Sequence, residues 1–306
     1  MSTDLLKQPL KGVVPPIITP LKDEYTLDDP GLECLIEHII GGGVHGLFLL
    51  GTTGEGPSLS YKLKYEMIEK SCKQIAGRVP ALVGITDASF AESIRLSEHA
   101  AECGADAVVL APPYYFPAGQ SELLEYLEHL APKLPLPLFL YNMPSMTKVD
   151  IAVDTLRKAS KIDGIIGFKD SSGNMIRYHE YITAMRDKPE FSILIGPEEL
   201  LGESVLFGGH GGVAGGANIN PKLFVDMYNA AAIGNVEKMK YLQKEIFTLR
   251  QLYFCGQYSS TFIKGVKCSL NYMGICSDFM AEPFHAFRQP ERKTIEKLLY
   301  QLQLIQ

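Results

Sequence analysis

The six cysteines, at positions 34, 72, 103, 255, 268 and 276, form no C-x-x-C pair and share no ligand spacing with histidine. A disulfide framework and a structural zinc site are therefore not what organises the chain, and the thiols read as small apolar residues in a reducing compartment. No Lys/Arg cluster is longer than a pair, and 29 basic against 35 acidic residues leave a formal charge of −6. The electrostatic footprint of a nucleic-acid binder is missing. The uncharged stretch from His38 to Gly54 is broken by glycines and two threonines, which argues against a membrane helix. The opening residues MSTDLLKQPLKG carry neither an apolar signal core nor a basic amphipathic repeat, so a cytoplasmic address is expected. There is no low-complexity tract either, and 46% hydrophobic with 21% charged residues suits a soluble globular protein.

What the chain does have is a recurrence. Eight short runs rich in Val, Ile, Leu and Phe begin at Gly12, Val44, Val79, Ala105, Leu136, Ile165, Phe191 and Gly211, each separated from the next by a helix-sized interval. Their apolar character is continuous rather than alternating, as in strands buried on both faces of a parallel sheet. The intervals carry helix signals: Asp29 and Pro30 as N-cap and first residue with Gly41 closing the helix, Ser60 as a cap, and S-x-x-E from Ser89 to Glu92 as a capping box. Eight β/α alternations before residue 221 predict an α/β fold, a (β/α)8 TIM barrel over residues 1–221. From 222 to 306 the pattern is helical without strands, with helices expected near 222–233, 235–252, 259–273 and 290–304. This part reads as a C-terminal helical extension.

Active sites of such barrels lie at the C-terminal ends of the strands. There stand Thr52 and Thr53, Tyr114 and Tyr115, Tyr141 and Asn142, Lys169 and Asp170, and Glu198 and Glu199. At the end of IIGF, Lys169 would face a low-dielectric barrel mouth that favours the neutral amine, a nucleophile toward carbonyls. The competing reading is a surface lysine paired with Asp170. Tyr141, at the neighbouring strand end, is either a proton shuttle or a rim aromatic. The turn GTTGEGPSL offers hydroxyls and backbone N–H groups to a carboxylate.

Two glycine patterns mislead. Gly41, Gly43 and Gly46 satisfy G-x-G-x-x-G, but a helix precedes them and a strand follows, the reverse of the dinucleotide-binding order. In GGHGGVAGGAN the order is wrong again, and these glycines are expected to let the backbone approach a small ligand. The seven histidines show no H-x-H or H-E-x-x-H spacing, which favours chemistry without a metal.

GTTGEGPSLS, YNMPS and GFKDSSGN, in that order, closely resemble the signatures of the dihydrodipicolinate synthase / N-acetylneuraminate lyase family of class I, Schiff-base-forming, pyruvate-dependent aldolases. The likeness extends to APPYYFP, to GGVAGGAN and to a helical C-terminal tail, so it covers essentially the whole chain. It implies that Lys169 forms the imine with pyruvate, that Tyr141 is the general acid/base and that Thr52 links the proton relay. It further implies that Thr53 and loop N–H groups hold the pyruvate carboxylate, and that the backbone of Val213 lines the pocket. Tyr115 resembles the tyrosine lent to a neighbouring subunit's relay, which implies a homotetramer built from dimers. No cofactor and no metal are expected.

One departure bears on substrate. Lysine-pathway synthases of the family commonly place an Arg two residues after the Pro of the YNxP motif to hold the carboxylate of aspartate semialdehyde; here that residue is Met146. Glu198 and Glu199 resemble the acids that the sialate lyase branch sets against sugar hydroxyls. The leading expectation is reversible cleavage of a 2-oxo-3-deoxy sugar acid, or of a sialic-acid-like substrate, to pyruvate and an aldehyde. The alternatives are 4-hydroxy-tetrahydrodipicolinate synthase, a dehydratase working through the same imine, and a non-catalytic oxo-acid-binding regulator. Retention of Lys169, Tyr141 and both threonines speaks against the last.

Overall fold

The computed structural model describes Leu6 and residues 9–306. All eight apolar runs form strands: β1 (Gly12–Val13), β2 (Leu47–Leu49), β3 (Ala81–Gly84), β4 (Ala107–Leu110), β5 (Leu138–Asn142), β6 (Ile165–Asp170), β7 (Ser192–Ile195) and β8 (Gly211–Gly212). They pair in parallel in the order β1-β8-β7-β6-β5-β4-β3-β2. A bridge between Pro16 and Phe48 joins the two ends. Pro15 and Pro16 have no N–H to give, so this seam rests on Phe48 N donating to Pro15 O at 2.9 Å and Ile17 N donating to Phe48 O at 3.0 Å. The molecule is thus a (β/α)8 barrel followed by further helices.

The helices are α1 (Asp29–Gly41), α2 (Tyr61–Ile75), α3 (Phe90–Glu102), α4 (Gln120–Leu130), α5 (Pro144–Thr147), α6 (Val153–Ala159), α7 (Met175–Ala184), α8 (Leu201–Leu206), α9 (Pro221–Ala232), α10 (Val236–Arg250), α11 (Thr261–Tyr272) and α12 (Gln289–Gln301). Helix α9 packs on α8 and β1, α10 on α9, and α12 on α11. None of the helices among the described residues is long and apolar enough to cross a membrane.

Some local signals act differently from their sequence reading. The cap of α1 is Asp28, one residue before the expected Asp29: its Oδ1 accepts from Gly31 N at 3.4 Å and its Oδ2 from Ser277 N at 2.9 Å. Asp29 instead accepts from Lys70 Nζ at 2.8 Å. Ser60 caps α2 through Leu63 N at 3.3 Å. Ser89 precedes α3 but its side chain makes no cap bond; its own N–H donates to Asp87 Oδ1 at 2.9 Å.

Burial divides in two. A large apolar layer lies between the sheet and its helices, and a smaller cluster that includes Val14, Phe48, Leu82, Val109, Phe139 and Leu194 fills the barrel itself. Tyr141 and Val213 belong to the inner cluster, which places them at the top of the barrel's own core. Gly211 owes its lack of a side chain to the barrel and not to a ligand. Its φ is +154°, and a Cβ there would lie 1.9 Å from Gly12 O on the adjoining strand.

Candidate active site

Register brings the first two candidates together. Tyr141 on β5 pairs directly with Lys169 on β6, so both side chains rise on the barrel's inner face. Lys169 Nζ lies 4.0 Å from the centroid of the Tyr141 ring and 5.2 Å from that of Phe48. No carboxylate among the described residues is within ion-pair distance of it. Below it, Val14, Phe48, Leu82, Val109, Phe139, Leu194 and Val213 line a small apolar void. Burial among these groups holds the ammonium's pKa below the ordinary lysine value, while the Tyr141 hydroxyl partly opposes the shift.

Asp170 is not its partner. Strand alternation sends that side chain to the opposite face, where it is fully buried. There Asn142 Nδ2 donates to Asp170 Oδ1 at 2.8 Å and the Ser172 hydroxyl to Oδ2 at 2.8 Å. The surface-lysine reading of Lys169 is therefore wrong. The Asn142–Asp170 link instead pins the two strand ends that carry Tyr141 and Lys169.

The turn after β2 supplies the threonines. Thr52 Oγ1 lies 3.2 Å from the Tyr141 hydroxyl. Thr53 is buried, yet its hydroxyl and N–H have no hydrogen-bond partner among the described residues. Glu55, two residues on, adopts a left-handed φ of +57°. Its carboxylate is buried in an ion pair with Lys267 of α11 and accepts from Ala281 N at 2.9 Å. The extension thereby grips the turn that presents the threonines.

Thr52, Thr53, Tyr141, Lys169, Glu198, Glu199 and Val213 all line one cavity of about 530 Å³. Its far wall is the segment from Tyr253 to Phe262, which comes from the extension. Tyr115 does not reach this cavity. It is 86% exposed, has a φ of +80° and stacks edge-on against Phe116 at 5.1 Å. Its neighbour Tyr114 lines an adjoining cavity of about 320 Å³ that shares Thr52, Tyr141 and Met143 with the first and also holds Met146. Neither lining contains an Arg, and Lys169 is the single Lys in them.

The two glutamates differ. Glu198 is buried, with Oε2 accepting from Gly216 N at 2.5 Å. Burial pushes its carboxyl up to about 7, and the charge of Glu199 adds to the shift. The phenol of Tyr253 closes in beside it: a Cβ on Gly216 would lie 2.3 Å from that oxygen and 2.7 Å from Glu198 Oε1. Glu199, by contrast, forms an ion pair with Arg250 of α10, whose guanidinium sits 4.2 Å from the Phe254 ring centroid. Sequence reading missed Tyr253 and Arg250, since both stand at the end of a helical stripe with no strand-end position to mark them.

The Dihydrodipicolinate synthetase family model matches residues 9–302. A solved structure described as dihydrodipicolinate synthase from Bacteroides thetaiotaomicron is 53% identical and superposes with a TM-score of 0.94, over 96% of this chain and 99% of that one. The 4-hydroxy-tetrahydrodipicolinate synthase of Methanocaldococcus jannaschii is 34% identical over 296 residues, 96% of this chain and 99% of that protein. YagE of Escherichia coli K12, named as a candidate 2-dehydro-3-deoxy-D-gluconate aldolase, is 30% identical over 298 residues, 96% of this chain and 97% of YagE. Its structure, solved in complex with pyruvate, has a TM-score of 0.91 over 97% and 100% of the two chains. With fold, strand-end lysine and tyrosine, and whole-chain match in agreement, the chain belongs to the dihydrodipicolinate synthetase family and is a pyruvate-dependent class I aldolase.

Proposed function

We propose that this enzyme reversibly cleaves a 2-oxo-3-deoxy sugar acid, or a sialic-acid-like substrate, to pyruvate and an aldehyde through an imine on Lys169. The observation that carries the reading is the buried Lys169 amine, with no carboxylate in ion-pair distance among the described residues, lying 4.0 Å over the ring of a tyrosine whose hydroxyl contacts Thr52. The neutral amine adds to the substrate's C2 carbonyl and the carbinolamine hydroxyl leaves as water with the Tyr141 proton, giving a cationic imine that serves as an electron sink and a phenolate that serves as the next base. Tyr141 takes the proton of the C4 hydroxyl as the C3–C4 bond breaks, so the aldehyde departs and an enamine remains. Protonation at C3 and hydrolysis release pyruvate and regenerate the amine.

In this reading Thr53 and the N–H groups of its turn hold the 1-carboxylate, the backbone of Val213 lines the pyruvate end, and Thr52 continues the proton path. Tyr115, exposed on its own subunit, completes the relay of a neighbouring protomer in a dimer, two of which form a tetramer. Pyruvate in the YagE complex supports the choice of oxo acid.

Charge supports a neutral acceptor. Beyond Lys169 the two cavities offer no cation to a second carboxylate, and Met146 stands 49% exposed where the family's synthases commonly place an Arg. Glu198 and Glu199 are acceptors for sugar hydroxyls. The rival synthase reading rests on the names of relatives such as those from B. thetaiotaomicron and M. jannaschii. A panel of pyruvate with glyceraldehyde, N-acetylmannosamine and aspartate semialdehyde, ranked by kcat/KM, separates the two. A sugar aldehyde is expected to exceed aspartate semialdehyde at least tenfold, and Met146→Arg to narrow the gap. A wild-type preference for aspartate semialdehyde would overturn the proposal in favour of the synthase.

A further inference from the structure

The extension contains a third cavity, of about 330 Å³, outside the site just described. Two helices begin at its edge. Ser260 and Thr261 open the 12-residue α11, Arg288, Pro290 and Glu291 open the 13-residue α12, and all five line the cavity. Neither N-cap residue supplies a side-chain hydrogen bond to its helix. Thr261 N already donates to Tyr258 O at 2.9 Å and Pro290 has no N–H, so what the two helices bring to the edge of this space is chiefly the positive end of the backbone dipole.

A buried cation points into it as well. Lys264, one turn into α11, is only 8% exposed and lines the cavity. No hydrogen bond or ion pair holds it among the described residues. The exposed Arg288 and His285 extend the basic surface, and Glu291 is the one acid in the lining. Phe287, Tyr258 and Pro290 give the rest of the wall an apolar character.

We infer that this cavity is a binding site for a small organic anion, a carboxylate or phosphate monoester carrying an apolar or aromatic body, with Lys264 as its principal anchor. Two helix N-termini at its edge and a buried lysine side chain supply the anion half of such a site, and the aromatic wall the other half. The site is separate from the imine cavity. Gly256, Gln257, Tyr258 and Thr261 line both, so this short segment is the partition between them. An anion on Lys264 therefore orders the wall that faces the aldehyde end of the catalytic cavity.

Calorimetric titration of the full-length enzyme with phenyl phosphate and, in parallel, benzoate tests this, with sodium chloride at matched ionic strength as the baseline. At least one of the two is expected to bind, and Arg288→Gln and Lys264→Gln each to weaken it about tenfold or more. Arg288 is exposed, so its variant reports even if Lys264→Gln fails to fold. Binding should persist after Lys169 has been blocked by pyruvate and borohydride, and hydrogen exchange at residues 256–261 should slow on binding. No binding at millimolar concentration, equal affinity in wild type and Arg288→Gln, or loss of binding once Lys169 is blocked would each overturn the inference. The blocking reaction is read separately by mass spectrometry, so failure of the anion site and failure of the imine chemistry are distinguishable.

Discussion

Around Lys169 each neighbour has a single job that its residue type explains. The apolar void beneath the amine removes water, Tyr141 brings a phenol to the same face through strand register, and Asp170 is turned away by the β alternation and held by Asn142. The sequence placed Lys169 and Tyr141 at neighbouring strand ends, and the family resemblance implied their roles; the hold of Asn142 on Asp170 was not legible, because Asp170 read equally well as the partner of Lys169. Glu198 was legible as an acid but not as a buried one, since its burial comes from Tyr253 and Gly216, contributed by segments far along the chain. Its carboxyl, raised to about 7 from an ordinary 4.5, makes a testable contribution. A folded-state pKa above the unfolded value gives stability that is complete below pH 4.5 and lost as pH rises through 7. Wild type should therefore lose up to about 3 kcal/mol relative to Glu198→Gln between pH 4.5 and 8 in denaturant titrations. Parallel stability curves for the two proteins would show that Glu198 ionises normally.

At the scale of elements, the strands and the four helices after residue 220 follow the sequence pattern closely, because continuous apolar runs and amphipathic stripes are local signals. What the pattern could not place is the docking of those helices over the barrel mouth. The Glu55–Lys267 pair, fully buried and joining the threonine turn to α11, and the Glu199–Arg250 pair are contacts between residues with no sequence relation to one another. The shift of the α1 cap to Asp28 has the same origin, since that carboxylate also receives Ser277 N from the extension. Removing one partner of a buried ion pair strands the other charge, whereas replacing both with neutral groups is tolerated. Lys267→Met is accordingly expected to destabilise the protein by about 3–5 kcal/mol, and the double variant Glu55→Gln/Lys267→Met to recover most of it. A cost below about 1 kcal/mol for the single change would mean that the turn is held by other contacts.

For the whole molecule, barrel and extension together line the candidate catalytic cavity: the strand ends supply Tyr141 and Lys169, and residues 253–262 supply the far wall. Tyr115 is the candidate that this cavity leaves outside, and its proposed place in the chemistry would require a second subunit. Mixing inactive Lys169→Ala with impaired Tyr115→Phe protein, with subunit exchange verified by native mass spectrometry, should restore part of the activity, since some hybrid sites then hold both native residues. Confirmed exchange without recovered activity would assign Tyr115 to packing alone. The central claim, an imine on Lys169, is tested most directly by treating the enzyme with pyruvate and borohydride and mapping the peptides. One reduced pyruvate adduct on Lys169, with loss of activity, is the predicted result; an adduct on a different lysine, or none, would contradict the account.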